Sequence, residues 1–241
     1  MNIFLYTILF LIGVLVGNFW KSAIYRIPRN IELTKKSVSY IEPNKKSTVI
    51  SQLFYLFIGG ILFVIFGKIL KINISNINLY SILTYLFTMF YISTLVIIGC
   101  IDQKNLKIDK RVVASGIILS ILYIIYLYSI DTINININII YLGIYVILLV
   151  ADTFIVKRYA ENSYTIGILM IFDIILIFTG IDVFFYTLIV TTLEILVFLL
   201  ISKIRQKRNG NKKIKLSNVP VGYFVTVSNI ITLIMISVIN Q

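Results

Sequence analysis

The chain of 241 residues contains no histidine, a single cysteine at Cys100 and only 10 acidic residues. One cysteine excludes an internal disulfide framework, and the lack of histidine excludes a zinc site built from cysteine and histidine. It also excludes serine or cysteine nucleophiles that need a histidine base. Metal-assisted hydrolysis is disfavoured for the same reason, so we expect neither a metal nor another cofactor.

Polar residues are scarce because long apolar runs fill most of the chain. Hydrophobic residues make up 59% of the sequence, which is more than one soluble core can bury. The runs predict an all-α, polytopic integral membrane protein, with about eight transmembrane helices in one membrane-embedded domain over 1–241. The predicted spans are 2–20, 49–70, 79–101, 112–130, 137–156, 164–180, 183–201 and 219–239.

Nearly all of the 22 basic residues lie in four connecting segments. The connections at Asp131 and Asp182 contain no Lys or Arg. The positive-inside rule therefore predicts that the four basic loops are cytoplasmic and that both termini lie outside. The net charge of +12 is interpreted as a signal of topology and of contact with membrane lipids, not of nucleic-acid binding. The four basic segments are 21–48, 102–111, the loop that begins with Lys157 and Arg158, and 202–218.

Four carboxylates lie within or at the edge of predicted spans: Asp102, Asp152, Asp173 and Glu194. A carboxylate at bilayer depth is costly, so each is a functional hypothesis. Two adjacent carboxylates can share a proton, one acting as base towards water and the other as acid towards a peptide carbonyl. Asp102 and Asp152 are predicted to lie near the cytoplasmic boundary. From position alone, each could equally be an interfacial carboxylate that contacts water or a nearby lysine. Asp173 and Glu194 lie deeper and favour contacts inside the bundle.

Four glycines indicate close helix packing. Gly13 and Gly17 form a small-xxx-small pair in the first predicted span, and Gly59 and Gly60 lie in the second. Small residues at this spacing let helix backbones approach each other in a membrane. We therefore expect these glycines to lie at helix–helix contacts.

Three stretches resemble motifs of a known family. They are LIGVLVGNFWKSAIYRIPR at 11–29, IDQKNLKIDKR at 101–111 and VPVGYF at 219–224. Their order and content are similar to those of the type IV prepilin peptidases, which are intramembrane aspartic proteases of the GxGD type.

The resemblance carries over residue by residue. Asp102 matches the first catalytic aspartate, and Gly17, Pro220 and Gly222 match family motif positions. Asn18 replaces a usual serine, and Asp109 stands where the family usually has proline.

The family's activity implies a substrate and a location. A prepilin peptidase removes the basic leader from type IV prepilin or pseudopilin precursors at the cytoplasmic face of the bacterial cytoplasmic membrane. The resemblance thus implies an aspartic endopeptidase whose partners are such precursors.

The chain departs from the family at its second motif. The stretch AENSYTIGILMIFD at 160–173 contains no Gly-x-Gly-Asp. Three acids could take the place of the second aspartate: Asp152, which we favour, Asp173 and Glu161. The segment 21–48 also lacks the paired cysteines that many relatives carry. Zinc is therefore not expected there, and the family's methyltransferase activity is in doubt.

Two other functions remain open at this point. One is a catalytically inactive relative that binds pilin-like helices or supports assembly as a scaffold. The other is a small transporter, which would need a polar site at the membrane midplane. Asp173 and Glu194 are the residues that the sequence offers for that site.

Overall fold

The structure, a computed structural model, describes residues 2–31, 45–73, 78–130, 163–209 and 219–239. Within these ranges the chain forms helices and no strand, as the all-α prediction requires. All six α-helices contain a segment long and apolar enough to cross a membrane. They are α1 Asn2–Arg26, α2 Lys45–Ile69, α3 Leu79–Asn105, α4 Lys110–Ser129, α5 Ser163–Asn209 and α6 Val221–Ile239.

The number of spans and several helix ends differ from the sequence prediction. The described residues contain six candidate spans rather than eight, and the predicted span 137–156 lies outside them. Helices α1 and α5 continue into the predicted loops 21–48 and 202–218, where 21–26 and 202–209 are helical. Hydropathy finds the apolar part of a helix and misses the polar turns at its ends.

The chain divides into two compact units, residues 1–93 and 94–241. In the first unit, α1 packs on α2 through the four glycines. A Cβ built on Gly13 would lie 2.8 Å from the Cα of Gly60 and still closer to the carbonyl of Gly59. A Cβ on Gly17 would lie 3.1 Å from the Cα of Leu56. The prediction that these glycines mediate close helix packing is confirmed.

In the second unit, α5 folds back on itself at Gly180. This residue has φ 82° and ψ 174°, a non-helical conformation that glycine adopts readily. The rings of Phe172 and Phe184 lie 6.0 Å apart, whereas a straight helix would separate these positions by about 18 Å. Helix α5 therefore has two limbs, 163–179 and 181–209. The bend lies where the sequence separated the predicted spans 164–180 and 183–201.

Helix α6 runs along both limbs of α5. The Phe224 ring contacts that of Phe198 at 5.3 Å. The Asn229 amide donates a hydrogen bond of 3.1 Å to the hydroxyl of Thr187. The first turns of α6 thus lie beside the middle of the second limb, and its later turns lie closer to the bend. This antiparallel pairing leaves the start of α6 near the start of α5.

Adding a side chain at Gly17 should weaken the first unit. In Gly17→Val, the new side chain meets the backbone of Tyr55 and Leu56, and we expect a loss of about 1–3 kcal/mol in stability from overpacking. Thermal unfolding of the purified protein in detergent measures it. Leu15→Phe adds volume on the same helix at a side chain that is 72% exposed, and it should leave the unfolding midpoint unchanged. Equal midpoints for both variants would contradict the packing role of Gly17.

Candidate active site

Asp102 lies in the last turn of α3, which extends to Asn105 rather than ending at the carboxylate. The Leu106 N–H closes the helix with a 2.8 Å hydrogen bond to the Asp102 carbonyl. Leu106 itself has φ 51°, a left-handed conformation that stops the helix. The side chain of Asp102 is 0% exposed. Asp102 is therefore a carboxylate at a helix end that is fully buried from water.

Helix α4 begins close behind, and Asp109 caps it. One carboxylate oxygen of Asp109 accepts from the backbone N–H of Arg111 at 3.0 Å, and the other from its guanidinium at 2.8 Å. The Arg111 hydrogen bonds hold the pKa of Asp109 below its usual range. Asp109 is thus the N-cap residue of α4. The short connection between α3 and α4 is therefore held at one end by Leu106, which ends α3, and at the other by Asp109.

The start of α5 brings a tyrosine to Asp102. Tyr164 donates its hydroxyl hydrogen to Oδ2 of Asp102 at 3.0 Å. One turn later, Gly167 lies against Ile108, where a Cβ would be 2.8 Å from the Ile108 Cβ. The lack of a side chain at Gly167 lets α5 approach the α3–α4 connection. Tyr164 and Gly167 share a helix face because they are three residues apart.

The start of α6 supplies backbone groups to the same carboxylate. The N–H of Tyr223 donates to Oδ2 of Asp102 at 3.1 Å, and the N–H of Gly222 faces the same carboxylate. A Cβ at Gly222 would lie 3.0 Å from Oδ2, so glycine permits this approach. Pro220 directly precedes the first helical residue, Val221, at a helix start where a missing N–H costs nothing. Asp102 therefore caps α6 from another helix.

The two carboxylate oxygens of Asp102 have different surroundings. Oδ2 receives the Tyr164 hydroxyl and the Tyr223 N–H. Oδ1 is buried and has no hydrogen-bond partner among the residues that the structure describes. The carboxyl group is therefore held through Oδ2, one of its two oxygens.

The sequence-predicted catalytic and motif residues in the described ranges fall into three groups. Asp102, Pro220 and Gly222 come together in one place, so two of the three motif segments meet at one carboxylate. Asp173 is 2% exposed on the first limb of α5, roughly 13 Å along the helix axis from Tyr164, and it is not among the described hydrogen-bond partners of Asp102. Gly17 belongs to the first unit and packs on α2.

Two of the three candidate second carboxylates lie beyond the described ranges. These are Asp152 and Glu161. In the parts of the chain that are described, no group of three histidine, cysteine, aspartate or glutamate side chains could hold a metal ion.

Tyr164 is the site residue that the sequence prediction missed. It lies inside 160–173, the stretch searched for a second carboxylate. A buried carboxylate needs donors as much as a partner acid, but the same stretch also contains Ser163 and Thr165, so the sequence alone does not single out Tyr164.

A second polar contact lies deeper between α6 and the second limb of α5. The Ser228 hydroxyl donates to Oε2 of Glu194 at 3.0 Å. Ser228 is 0% exposed. Glu194 is thus held by an interhelical contact, which was the role predicted for it in the bundle.

Comparison of the chain with protein-family models, with curated proteins and with solved structures finds no match.

Acidification should remove the contribution of the α4 cap. The folded pKa of Asp109 is lowered, so its stabilisation is present above the unfolded pKa of about 3.9 and is lost as pH falls through the folded value. We expect Asp109→Ala to cost about 1 kcal/mol at neutral pH and less at about pH 3. Thermal unfolding at both pH values measures the difference.

Asp109→Asn is the matched control for this experiment. Asparagine caps helices about as well as aspartate but has no carboxyl group to titrate. Its stability relative to Asp109→Ala should therefore change little with pH. An equal cost of Asp109→Ala at both pH values would contradict the stabilisation of the charged Asp109 carboxylate by Arg111.

Proposed function

We propose that the protein is a prepilin-peptidase-like aspartic endopeptidase of the bacterial cytoplasmic membrane. Its substrates are type IV prepilin or pseudopilin precursors, whose basic leaders it cleaves at the cytoplasmic face. Asp102 is one catalytic carboxylate, and Asp152 is the favoured second one, with Asp173 as the alternative. The proposal includes no metal, no other cofactor and no methyl transfer.

One observation carries the proposal. The segments 101–111 and 219–224, which resemble two separate family motifs, meet at a fully buried carboxylate. Donors hold one oxygen of that carboxylate, and the other oxygen is left for proton transfer. A buried carboxyl group that is oriented by fixed donors is a candidate for acid–base chemistry.

The chemistry needs two carboxyl groups that share one proton. The ionised group removes a proton from water while the water oxygen bonds to the scissile carbonyl carbon, and the protonated group gives its proton to the carbonyl oxygen. The tetrahedral intermediate then collapses. The carbon–nitrogen bond breaks, the amine leaves with a proton from the pair, and the new carboxyl end remains on the leader. Oδ1 of Asp102 is the oxygen that would take part.

The membrane arrangement behind this proposal has eight spans. Helix α5 contributes two, since its apolar span of 41 residues would measure about 60 Å if straight, twice the thickness of the hydrocarbon core. Together with the predicted span 137–156, this gives eight crossings with both termini outside. Asp102 then lies at the cytoplasmic boundary, beside the basic segment 104–111.

A scaffold without catalysis is the second candidate, because the bonds that Asp102 makes are also those of a helix cap. The N–H groups of Gly222 and Tyr223 face its carboxylate at the start of α6, where a negative charge is favoured. A chain that kept this cap but lacked a second acid could still bind pilin-like helices. The two candidates differ in whether the precursor is cut.

The proposal is tested by Asp102→Asn in cells that co-express a type IV prepilin. The amide keeps an oxygen to accept from Tyr164 and Tyr223 but cannot exchange a proton. We therefore expect leader cleavage, followed by the mobility of the pilin on gels, to fall by at least about a hundredfold. Asp109→Asn makes the same chemical change in the same segment while keeping a good cap, and it should cleave like the natural protein.

The outcomes separate the candidates. Unchanged cleavage by Asp102→Asn would overturn the peptidase assignment. If the natural protein leaves the prepilin uncut but retains it on co-purification, and Asp102→Asn retains it while Asp102→Ala does not, the scaffold is supported instead.

A further inference from the structure

We propose that Tyr164 is a positioning residue for Asp102: its hydroxyl holds one oxygen of the carboxyl group, so that the oxygen facing away from it, Oδ1 in this structure, takes part in proton transfer. The inference rests on the proposed peptidase function. It adds a residue that neither the sequence prediction nor the family resemblance identified.

The direction of the Tyr164 hydroxyl is set by its other hydrogen bond. The backbone N–H of Val221 donates to the tyrosine oxygen at 3.0 Å. The hydroxyl hydrogen can then go to Oδ2 of Asp102 at 3.0 Å or to the carbonyl of Val219 at 3.4 Å. The shorter bond to a carboxylate is the stronger one. Donation therefore runs from Val221 through Tyr164 to Asp102.

This relay fixes the rotation of the carboxyl group. A carboxylate that turned about its terminal bond would exchange its two oxygens, since that torsion is broad and roughly two-fold. Here a half turn would only exchange the two oxygens, with Oδ1 accepting the bonds from Tyr164 and Tyr223. Any smaller turn would break both bonds. The oxygen left over is always the one that faces away from these donors.

The protein backbone holds Tyr164 in place for this role. Gly167, one turn along α5, contacts Ile108 closely, and Val219 is buried at 2% exposure beside the tyrosine oxygen. The start of α5 thus lies against the α3–α4 connection through Gly167 and against the start of α6 through Tyr164. The Tyr164 hydroxyl accepts from the Val221 N–H and donates to Asp102, so in the proposed peptidase its loss should change the catalytic step more than substrate binding.

Tyr164→Phe removes the hydroxyl and keeps the ring. A hydrogen bond to a charged group contributes about 1.5–3 kcal/mol, so we expect kcat for leader cleavage to fall by about tenfold to a hundredfold. KM for a purified prepilin should stay within about twofold, because binding and the chemical step separate in this way when a group acts only in catalysis. Tyr186→Phe, the same change on the same helix at a side chain that is 56% exposed, should leave both constants unchanged.

A series of fluorinated tyrosines at position 164 provides a second test. If Tyr164 only supported the fold, kcat would stay the same along the series. Each fluorine strengthens the phenol as a donor while the ring and the fold stay the same. We expect kcat to change progressively along the series at constant KM. Since the hydroxyl is kept, this test holds even if Tyr164→Phe fails to fold.

The results separate this proposal from the peptidase assignment. If Asp102→Asn is inactive while Tyr164→Phe cleaves like the natural protein, the positioning role is overturned and the peptidase remains. A flat fluorotyrosine series also overturns positioning through the hydroxyl. If Asp102→Asn cleaves normally, both proposals fall. Loss of kcat at unchanged KM, with a graded series, supports the positioning role.

Discussion

A carboxylate without water around it needs other hydrogen-bond donors, and the arrangement of α3, α5 and α6 follows from that need. Leaving Asp102 buried and unsolvated would cost several kcal/mol. The Tyr164 hydroxyl and the N–H of Tyr223 supply donors in place of water. Each comes from the first turns of a different helix. The beginnings of α5 and α6 must therefore meet the end of α3, which fixes the register of three helices at one point.

Glycine is what lets these helices come close enough. Gly222 brings the start of α6 to within contact of the carboxylate, and Gly167 brings α5 against the α3–α4 connection. Gly99, one turn before the carboxylate on α3, lies against the hydroxyl of Thr226 on α6. In a membrane, where apolar surface gains little from leaving lipid, such close approach and the polar contacts that it allows supply much of the attraction between helices. The site and the packing of the bundle thus depend on the same positions.

The sequence could predict the apolar helices and the importance of Asp102, because hydropathy and the cost of a membrane carboxylate are local properties. It could not predict that α3 passes Asp102 to end at Asn105, since a left-handed Leu106 has no sequence signature. Nor could it identify Tyr164, because a hydrogen bond across 62 positions depends on the tertiary fold. The glycine contacts of α1 and α2 were predictable because small-xxx-small spacing has a direct geometric meaning.

The surroundings of Asp102 bear on the choice between a cap and a catalyst. A helix cap needs one oxygen, and Oδ2 already fulfils that role at the start of α6. A purely structural cap would leave its second oxygen in water or bonded, because a buried acceptor without a donor costs about 1–3 kcal/mol. Oδ1 of Asp102 is buried and accepts no hydrogen bond from a residue that the structure describes. Buried acidic groups are found at functional sites more often than elsewhere, which agrees with the proposed role of Asp102. In the proposed peptidase, the cap would also serve catalysis, because it holds Oδ2 of Asp102 in place and leaves Oδ1 for proton transfer.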